Sequence, residues 1–253
     1  MRLFTASVLT NSEIAAGIHI LEIYAPQLAQ TIKPGQYCML RCCDSTASDP
    51  LLRRPFFVHA VEPEKDLVRF LVFARGRGSR WVTRQRVGGD LDLLGPLGHA
   101  WEVRPQVRDL LLIGEAPILS SVISLAHYAL EQEMAVTLVE YSNGGGWSYP
   151  VALLPPEIEY QVFSGTPIQF SEQLREYITW ADALCCSVAP ETLRALVSAD
   201  NRWREKHFAQ AVVWKPLICG SGVCLTCSIE TRQGLKSICR DGTIFAISEL
   251  TDL

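Results

Sequence analysis

The sequence predicts an antiparallel β-barrel, then a parallel-sheet α/β domain, then a small cysteine-rich segment. Short β-type segments broken by turn residues fill residues 1–103, and apolar strands alternate with helices across residues 104–213. Four closely spaced cysteines fall within residues 214–253. We therefore expect a barrel domain at 1–103, a nucleotide-binding type of α/β domain at 104–213 and a metal-binding domain at 214–253.

The barrel prediction rests on apolar segments that recur at spacings suited to a small antiparallel barrel. Turn signals separate them, such as Pro34-Gly35 before the third segment and Gly88-Gly89 before the sixth. We predict one short helix, near residues 78–84. The predicted strands are 3–9, 18–24, 36–41, 55–60, 67–73 and 90–94.

The middle third begins with a continuous apolar run at 109–113, followed by helical spacing at 117–131 and a strand at 135–139. This order is a β-α-β unit, which implies a parallel sheet. Further strands are predicted at 160–163, 183–186 and 208–214, and further helices at 171–178 and 190–197.

The composition is typical of a globular protein and argues against a nucleic-acid-binding or membrane protein. The chain has 253 residues, of which 48% are hydrophobic, so it can bury substantial cores. Its net charge is -4, and no run of Lys and Arg suggests a nucleic-acid-binding face. The first residues carry no apolar signal segment, and no stretch of about 18 apolar residues occurs. We expect a soluble cytoplasmic protein that binds neither nucleic acid nor a membrane.

Three cysteines, Cys219, Cys224 and Cys227, have the spacing C-x4-C-x2-C, and Cys239 follows downstream. This is the plant-type ligand spacing of a 2Fe-2S cluster. A structural zinc site, disulfides and merely buried thiols are the alternatives. Zinc sites usually show two C-x2-C pairs, whereas this segment has one. Disulfides would indicate secretion, which nothing else in the sequence supports.

The chain contains nine cysteines, so five remain outside this motif. They lie in apolar, strand-like runs, and we expect them to be buried reduced thiols. A second metal site formed by the first three of them would lack a fourth ligand nearby. The five are Cys38, Cys42, Cys43, Cys185 and Cys186.

Two motifs in the barrel suggest a pyrophosphate site. Arg54 stands beside aromatic residues at the start of a strand, and Gly76-Arg77-Gly78-Ser79 precedes a short helix. A guanidinium offers two donors to a phosphate, and a glycine-rich turn exposes backbone N-H groups to the same anion. Each motif alone is weak, since an exposed strand end and an ordinary turn would look the same.

The order of these motifs carries a family resemblance. Leu52-Arg53-Arg54-Pro55, the Gly76 to Ser79 turn, Gly95-Pro96-Leu97-Gly98 and the segment from Cys219 to Gly242 occur in this order around a parallel-sheet domain. The whole chain resembles the ferredoxin-NADP reductase superfamily. Within it, the chain is most similar to electron transfer subunits of the NAD-dependent dihydroorotate dehydrogenases of pyrimidine biosynthesis.

The resemblance implies FAD on the barrel, a nicotinamide nucleotide on the middle domain and a 2Fe-2S cluster. It also implies a hetero-oligomer with a catalytic, FMN-containing dihydroorotate dehydrogenase subunit or another redox protein. No catalytic acid, base or nucleophile constellation is recognisable. The resemblance assigns the FAD phosphates to Arg54, Gly76, Arg77, Gly78 and Ser79, the flavin side to Pro55 and Phe56, and the cluster to Cys219, Cys224, Cys227 and Cys239.

Three positions depart from the family pattern on the nicotinamide side. Phe57 replaces a hydroxyl residue that would reach the flavin edge, Glu115 follows the one glycine left in a glycine-rich turn, and Ser187 follows Cys186 where the family has Cys-Gly-Pro. A carboxylate at Glu115 would repel pyrophosphate. We therefore expect the chain to bind NAD(H) weakly or not at all, and to take electrons from another protein. The alternative is that Glu115 points away and NADH still binds.

Two rival functions share the same motifs. One is a hydrogenase-type or sulfite-reductase-type NAD(P)H reductase subunit, because fold alone does not separate these enzymes. The other is a decayed reductase that serves only as an assembly scaffold.

Overall fold

The structure is a computed structural model, and it describes residues 1–142, 144 and 147–251. The glycine-rich turn that follows Ser142 lies largely outside these residues. The chain divides into two compact units, described separately here as the barrel unit and the sheet unit. The barrel unit comprises Met1–Ala100, Lys215–Ser228 and Ser237–Asp241, and the sheet unit comprises Trp101–Trp214, Ile229–Lys236 and Gly242–Leu253.

The barrel unit contains a closed six-stranded barrel with the strand order β1-β2-β5-β4-β3-β6, and all of its strand pairs are antiparallel. Two short helices accompany it, α1 at Pro26–Ala29 and α2 at Arg77–Val82. The strands are β1 Arg2–Ala15, β2 Ile18–Tyr24, β3 Tyr37–Leu40, β4 Arg54–Glu62, β5 Leu67–Phe73 and β6 Asp90–Leu97.

Alternation of side chains explains the barrel. On β2, Leu21 and Ile23 are fully buried, while the residue between them, Glu22, forms an ion pair with Arg69 on β5. Every second side chain of a strand faces the same side, so one face fills the barrel interior and the other is available for polar pairs. The barrel and its six strands confirm the predicted fold class.

The sheet unit contains a six-stranded sheet with the order β14-β11-β10-β7-β8-β9. Five strands are parallel, and β14 pairs antiparallel with β11 at one edge. The strands are β7 Asp109–Glu115, β8 Ala135–Ser142, β9 Glu159–Ser164, β10 Ala183–Ser187, β11 Ala209–Val212 and β14 Ile244–Ala246. The helices are α3 Ser120–Glu131, α4 Pro167–Gln173, α5 Arg175–Trp180 and α6 Pro190–Ala199.

Two helix predictions need correction. The helix predicted at 171–178 is two short helices, α4 and α5, which meet at Leu174. The first begins earlier because the side chain of Thr166 accepts a hydrogen bond from the Gln169 N-H and caps it. The helix predicted from 117 begins at Ser120, because Ile118 instead closes a turn onto the carbonyl of Glu115.

The C-terminal segment contains a two-stranded hairpin, β12 at Ser228–Thr231 and β13 at Gly234–Ser237, and a short helix, α7, at Ile238–Asp241. Its two cysteine-bearing parts, Lys215–Ser228 and Ser237–Asp241, belong to the barrel unit. The cysteine residues therefore pack with the barrel. The division into three domains stays a prediction.

Candidate functional site

The two neighbouring arginines of the barrel have different roles. Arg53 donates to both carboxylate oxygens of Asp92 at 2.9 and 2.8 Å, so its charge is compensated. The guanidinium of Arg54 donates only to the carbonyls of Leu52 and Arg53, and within the described residues no carboxylate forms an ion pair with it. Arg54 therefore keeps an unneutralised positive charge, as a phosphate-binding group requires.

The glycine-rich turn lies next to Arg54. Gly78 is buried, and a Cβ placed there would lie 3.0 Å from Cγ of Arg54 and 3.1 Å from Cβ of Cys42. The backbone N-H of Gly76 donates to the Ser79 hydroxyl at 3.1 Å, which orders the start of α2. A side chain at position 78 would therefore require Arg54 or Cys42 to shift by a few tenths of an ångström. The structure thus brings the two predicted phosphate motifs together.

The remaining residues of the predicted FAD site are Arg77 on α2 and Pro55 and Phe56 on β4. Arg77, which is exposed, forms an ion pair with Asp49, so its charge is shared with a carboxylate. On β4, Pro55 pairs with Met39 and Phe56 pairs with Cys38 of β3. Phe56 is half-buried and packs against the barrel core. These placements leave Pro55 and Phe56 beside Arg54 on one strand.

The side chain of Phe57 lies in a different environment from that of Phe56. It is 5% exposed, and its ring centroid lies 5.9 Å from that of Tyr37, its partner on β3. The Tyr37 hydroxyl in turn donates to the carbonyl of Cys239 at 3.2 Å. The departure from the family pattern at position 57 therefore places an aromatic ring against Tyr37, whose hydroxyl reaches the cysteine segment. Sequence analysis missed Tyr37, which carries no motif signal.

The four cysteines of the C-terminal motif form two pairs. Cys219 hydrogen-bonds with Cys224, and Cys227 hydrogen-bonds with Cys239. Backbone donors also point at the sulfurs: the Ser221 N-H lies 3.4 Å from the sulfur of Cys219, and the Cys239 N-H lies 3.5 Å from that of Cys227. All four predicted ligands thus lie in the two cysteine-bearing parts of the barrel unit, Lys215–Ser228 and Ser237–Asp241.

These donors change the acidity of the thiols. Burial raises the pKa of Cys219, but hydrogen bonds from Cys224 and Ser221 outweigh it and lower the pKa to about 5. Burial and the neighbouring Cys227 raise the pKa of Cys239 to about 12. Cys219 is therefore a thiolate at neutral pH, the form that binds a metal.

Paired sulfurs suit two irons better than one zinc ion. A 2Fe-2S core is held by thiolates divided between its two irons, whereas a structural zinc ion takes all four ligands around one point. Across residues 1–142, 144 and 147–251, no group of three or more His, Cys, Asp or Glu side chains lies in an arrangement that would hold a metal ion. Four cysteines at the plant-type spacing, with backbone N-H groups directed at their sulfurs, have the donor chemistry of a 2Fe-2S site.

Glycine lets the cysteine segment approach the barrel strands. Gly220 has a φ of +70°, and a Cβ there would lie 3.2 Å from Cγ of Met39 and 3.2 Å from a methyl carbon of Leu97. A side chain at this position would be strained and would also contact the barrel core. The short distance between the segment and β3 thus depends on Gly220.

The five other cysteines are buried and free, as predicted. Burial raises the pKa values of Cys38 and Cys185, and it raises that of Cys42 to about 12. Thiols that stay protonated are poor nucleophiles and poor metal ligands. These side chains therefore fill the cores of the two units.

In the sheet unit, Glu115 ends β7 and turns inward. One carboxylate oxygen accepts hydrogen bonds from the Ala189 N-H at 2.8 Å and from the Thr192 hydroxyl at 3.0 Å, and the residue is 6% exposed. Ala189 precedes the first residue of α6, so the carboxylate occupies donors at that helix N-terminus. Nearby, the Ser187 hydroxyl donates to the carbonyl of Ile118 at 2.7 Å.

A second buried acid escaped the sequence analysis. Glu140 on β8 is 1% exposed, and one of its oxygens accepts bonds from the Tyr149 N-H at 2.9 Å and the Tyr160 hydroxyl at 2.7 Å. Its other oxygen has no hydrogen-bond partner among the described residues. Burial raises the pKa of Glu140 despite these two donors. The sequence signal that could have identified Glu140 is that it is the one acidic residue within the apolar run of β8.

No helix in the described part of the chain is both long and apolar enough to span a membrane.

Comparison with known proteins finds matches for the C-terminal segment and for nearly the whole chain. Residues 215–251 match the family model described as the iron-sulfur cluster binding domain of dihydroorotate dehydrogenase B. The chain is 26% identical over 259 residues to the dihydroorotate dehydrogenase B (NAD(+)) electron transfer subunit of Shouchella clausii, with 96% of each chain covered. It is also 26% identical over 260 residues to that subunit of Bacillus cereus strain Q1, again with 96% of each covered.

Solved structures show the same fold. An NADH-dependent reduced ferredoxin-NADP oxidoreductase, studied for flavin-based electron bifurcation, superposes with a TM-score of 0.79 at 20% identity, covering 97% of this chain and 89% of the other. The ferredoxin reductase of carbazole 1,9a-dioxygenase gives a TM-score of 0.63 at 20% identity, covering 78% and 64%. The resemblance predicted from the motifs is confirmed.

Proposed function

We propose that this chain, a ferredoxin-reductase-like protein that resembles dihydroorotate dehydrogenase B electron transfer subunits, carries electrons between FAD and a 2Fe-2S cluster. It works as one subunit of a larger oxidoreductase. The observation that carries the proposal is that the unneutralised Arg54 beside Gly78 and the two cysteine pairs belong to one compact unit.

The residues of the barrel unit fit these two cofactors. FAD accepts electrons in pairs and releases them singly, which suits a one-electron cluster. Arg54 supplies positive charge to the pyrophosphate, and Gly76, Arg77, Gly78 and Ser79 form the turn beside it. Pro55 and Phe56 shape the flavin side. Cys219, Cys224, Cys227 and Cys239 bind the cluster, and backbone N-H groups directed at their sulfurs stabilise its negative charge.

The partner is proposed from the relatives, whose names describe subunits of dihydroorotate dehydrogenase B. We infer a hetero-oligomer with the catalytic, FMN-containing subunit that oxidises dihydroorotate in pyrimidine biosynthesis, in the cytoplasm. The alignment with each of these relatives covers 96% of the relative and 96% of this chain.

Direct oxidation of NADH by this subunit is proposed to be slow. The buried carboxylate of Glu115 takes up donors at the start of α6, at the carboxyl end of β7, which is the end of a parallel sheet where dinucleotides bind. An anion placed there faces a negative charge and fewer free N-H groups. Electrons therefore enter from a protein partner rather than from bound NADH.

Co-purification from the native cell tests the assignment. The expected result is that a dihydroorotate-oxidising FMN protein accompanies the chain, and that dihydroorotate added to the anaerobic complex bleaches the flavin and reduces the cluster. Recovery of a hydrogenase or a sulfite reductase subunit instead would contradict the partner. A complex with neither flavin nor iron would indicate a scaffold and would contradict the electron transfer function.

A further inference from the structure

Tyr37 joins the flavin-binding strand to the cysteine segment. It lies on β3 and is fully buried. On one side its ring packs against Phe57 at 5.9 Å between centroids, with a 58° angle between the ring planes. On the other side its hydroxyl donates to the carbonyl of Cys239, 202 residues away in sequence.

The Cys239 carbonyl needs such a donor. Cys239 is 1% exposed, and a buried carbonyl without a hydrogen bond destabilises the folded chain. Cys239 is also the one cysteine of the motif that does not belong to the 219–227 loop, so its position depends on separate anchors. The Ile238 N-H donates to the carbonyl of Cys227 at 3.2 Å, and the Gly222 N-H donates to the sulfur of Cys239 at 3.2 Å.

Other contacts also link strand β3 to the cysteine segment. The Cys239 carbonyl that accepts from the Tyr37 hydroxyl belongs to the residue whose N-H lies 3.5 Å from the sulfur of Cys227, so Tyr37 is one residue removed from a second cysteine of the motif. Gly220 packs against Met39, two residues along β3 from Tyr37. Strand β3 is therefore the part of the barrel on which the cysteine segment rests.

We propose that Tyr37 is a positioning residue, which fixes the Cys239 ligand and, through Phe57, ties the cluster to the strand that begins with Arg54. This inference rests on the proposed function, because it concerns the same cluster. Phe57 then has a role of its own: its ring packs Tyr37 in place, at a position where the family pattern has a hydroxyl side chain.

The consequence of the contact is a tightly held ligand. Second-shell groups orient metal ligands and tune the group that they hold. Without the hydroxyl, the Cys239 carbonyl loses its donor and the α7 turn loosens, so Cys239 would hold a bound cluster less firmly. The FAD site does not use this hydroxyl, so flavin content stays unchanged.

The test compares Tyr37→Phe with Tyr24→Phe, which removes an exposed hydroxyl from the same barrel. After anaerobic reconstitution, a chelator is added and loss of cluster absorbance is followed. Tyr37→Phe is expected to lose its cluster about fivefold faster than the wild type, with an altered EPR spectrum after dithionite reduction. Tyr24→Phe is expected to match the wild type. Equal rates and spectra in all three proteins would overturn the inference.

Labelling of the metal-free protein separates this inference from the proposed function. The Cys239 thiol is expected to react with an alkylating reagent faster in metal-free Tyr37→Phe than in metal-free Tyr24→Phe, by peptide mass spectrometry. A wild type that takes up no iron would refute the proposed function, while the labelling would still support or refute the contact. If Tyr37→Phe does not fold, Phe57→Leu replaces it, and faster labelling of Cys239 is again the expected result.

Discussion

The carboxylate of Glu115 lies 3.0 Å from the hydroxyl of Thr192 and accepts its hydrogen bond. A second bond from the Ala189 N-H holds the same oxygen at the start of α6. The sequence had left open whether this acid turns away from the nucleotide-binding edge of the sheet. It turns into the protein, where it satisfies the donors of Ala189 and Thr192 at the start of α6.

Replacing Glu115 with Gln tests the effect of its charge. Gln keeps an oxygen that can accept from Ala189 and Thr192, and it removes the repulsion of a pyrophosphate. We expect NADH to reduce the flavin of Glu115→Gln about tenfold faster than that of the wild type at a subsaturating concentration. Stopped-flow absorbance measures this rate.

Thr192→Val is the matched control. It removes one bond to the carboxylate and keeps the charge, so it should lower the free energy of unfolding by about 1 kcal/mol without accelerating NADH oxidation. Rapid flavin bleaching in the wild type would show that Glu115 does not impede NADH.

Arg54 and Arg53 provide a matched pair for FAD binding. Arg54→Gln removes the unneutralised charge, and we expect the dissociation constant for FAD to rise about 10-fold to 100-fold. Arg53→Gln removes the Asp92 ion pair, so it should lower the free energy of unfolding by about 1 kcal/mol and change FAD affinity much less. Fluorescence titration of the flavin-free protein measures both. Equal losses of affinity would mean that Arg54 does not bind the phosphates.

Gly78 and Gly76 differ in the space around them. A methyl group at Gly78 would press on Arg54 and Cys42, whereas at Gly76 no atom lies within 4 Å of it. We expect Gly78→Ala to lower the free energy of unfolding by about 1 kcal/mol and Gly76→Ala to change it by less than about 0.5 kcal/mol. Urea unfolding of the flavin-free protein measures the difference. A Gly78→Ala variant as stable as the wild type would show that the contact relaxes freely.

Glu140 gives a prediction about pH. Burial raises its pKa, so the folded protein binds its proton more tightly than the unfolded chain does. Its contribution to stability is therefore present below the unfolded pKa and is lost as pH rises through the folded value. Relative to Glu140→Gln, the wild type should become less stable as pH rises above about 4.3, the ordinary pKa of Glu. Denaturant unfolding of both proteins at a series of pH values above and below about 4.3 measures this difference. A free energy of unfolding that changes with pH in the same way in both proteins would contradict the prediction.

Much of the fold follows from local patterns. Alternation along β2 and β5 predicts barrel strands, and the apolar run of β7 followed by α3 predicts a parallel sheet. The prediction of a single helix at 171–178 was wrong. The cap at Thr166 and the junction at Leu174, which divide this region into two helices, depend on the packed structure. The short strands β12, β13 and β14 were missed; β12 and β13 lack the buried apolar run that marks the equally short β3.

The candidate site was predictable where a motif fixes spacing. The cysteine spacing pointed to one site; in the structure Cys219 interacts with Cys224 and Cys227 interacts with Cys239, and the four-ligand site stays a prediction. The contact of Tyr37 with Cys239 could not be predicted, since it joins residues 202 positions apart and depends on how β3 meets the cysteine segment. The orientation of the Glu115 side chain could not be predicted either, because it depends on where α6 begins.

The central claim is that one chain holds both FAD and a 2Fe-2S cluster. Its most direct test is anaerobic reconstitution of the wild type, followed by analysis of flavin, iron, acid-labile sulfide and zinc and by low-temperature EPR after dithionite reduction. The account predicts about one FAD, two irons and two acid-labile sulfides per chain, and the EPR signal of a reduced 2Fe-2S cluster. Zinc in place of iron, or a chain that leaves FAD in solution, would contradict it.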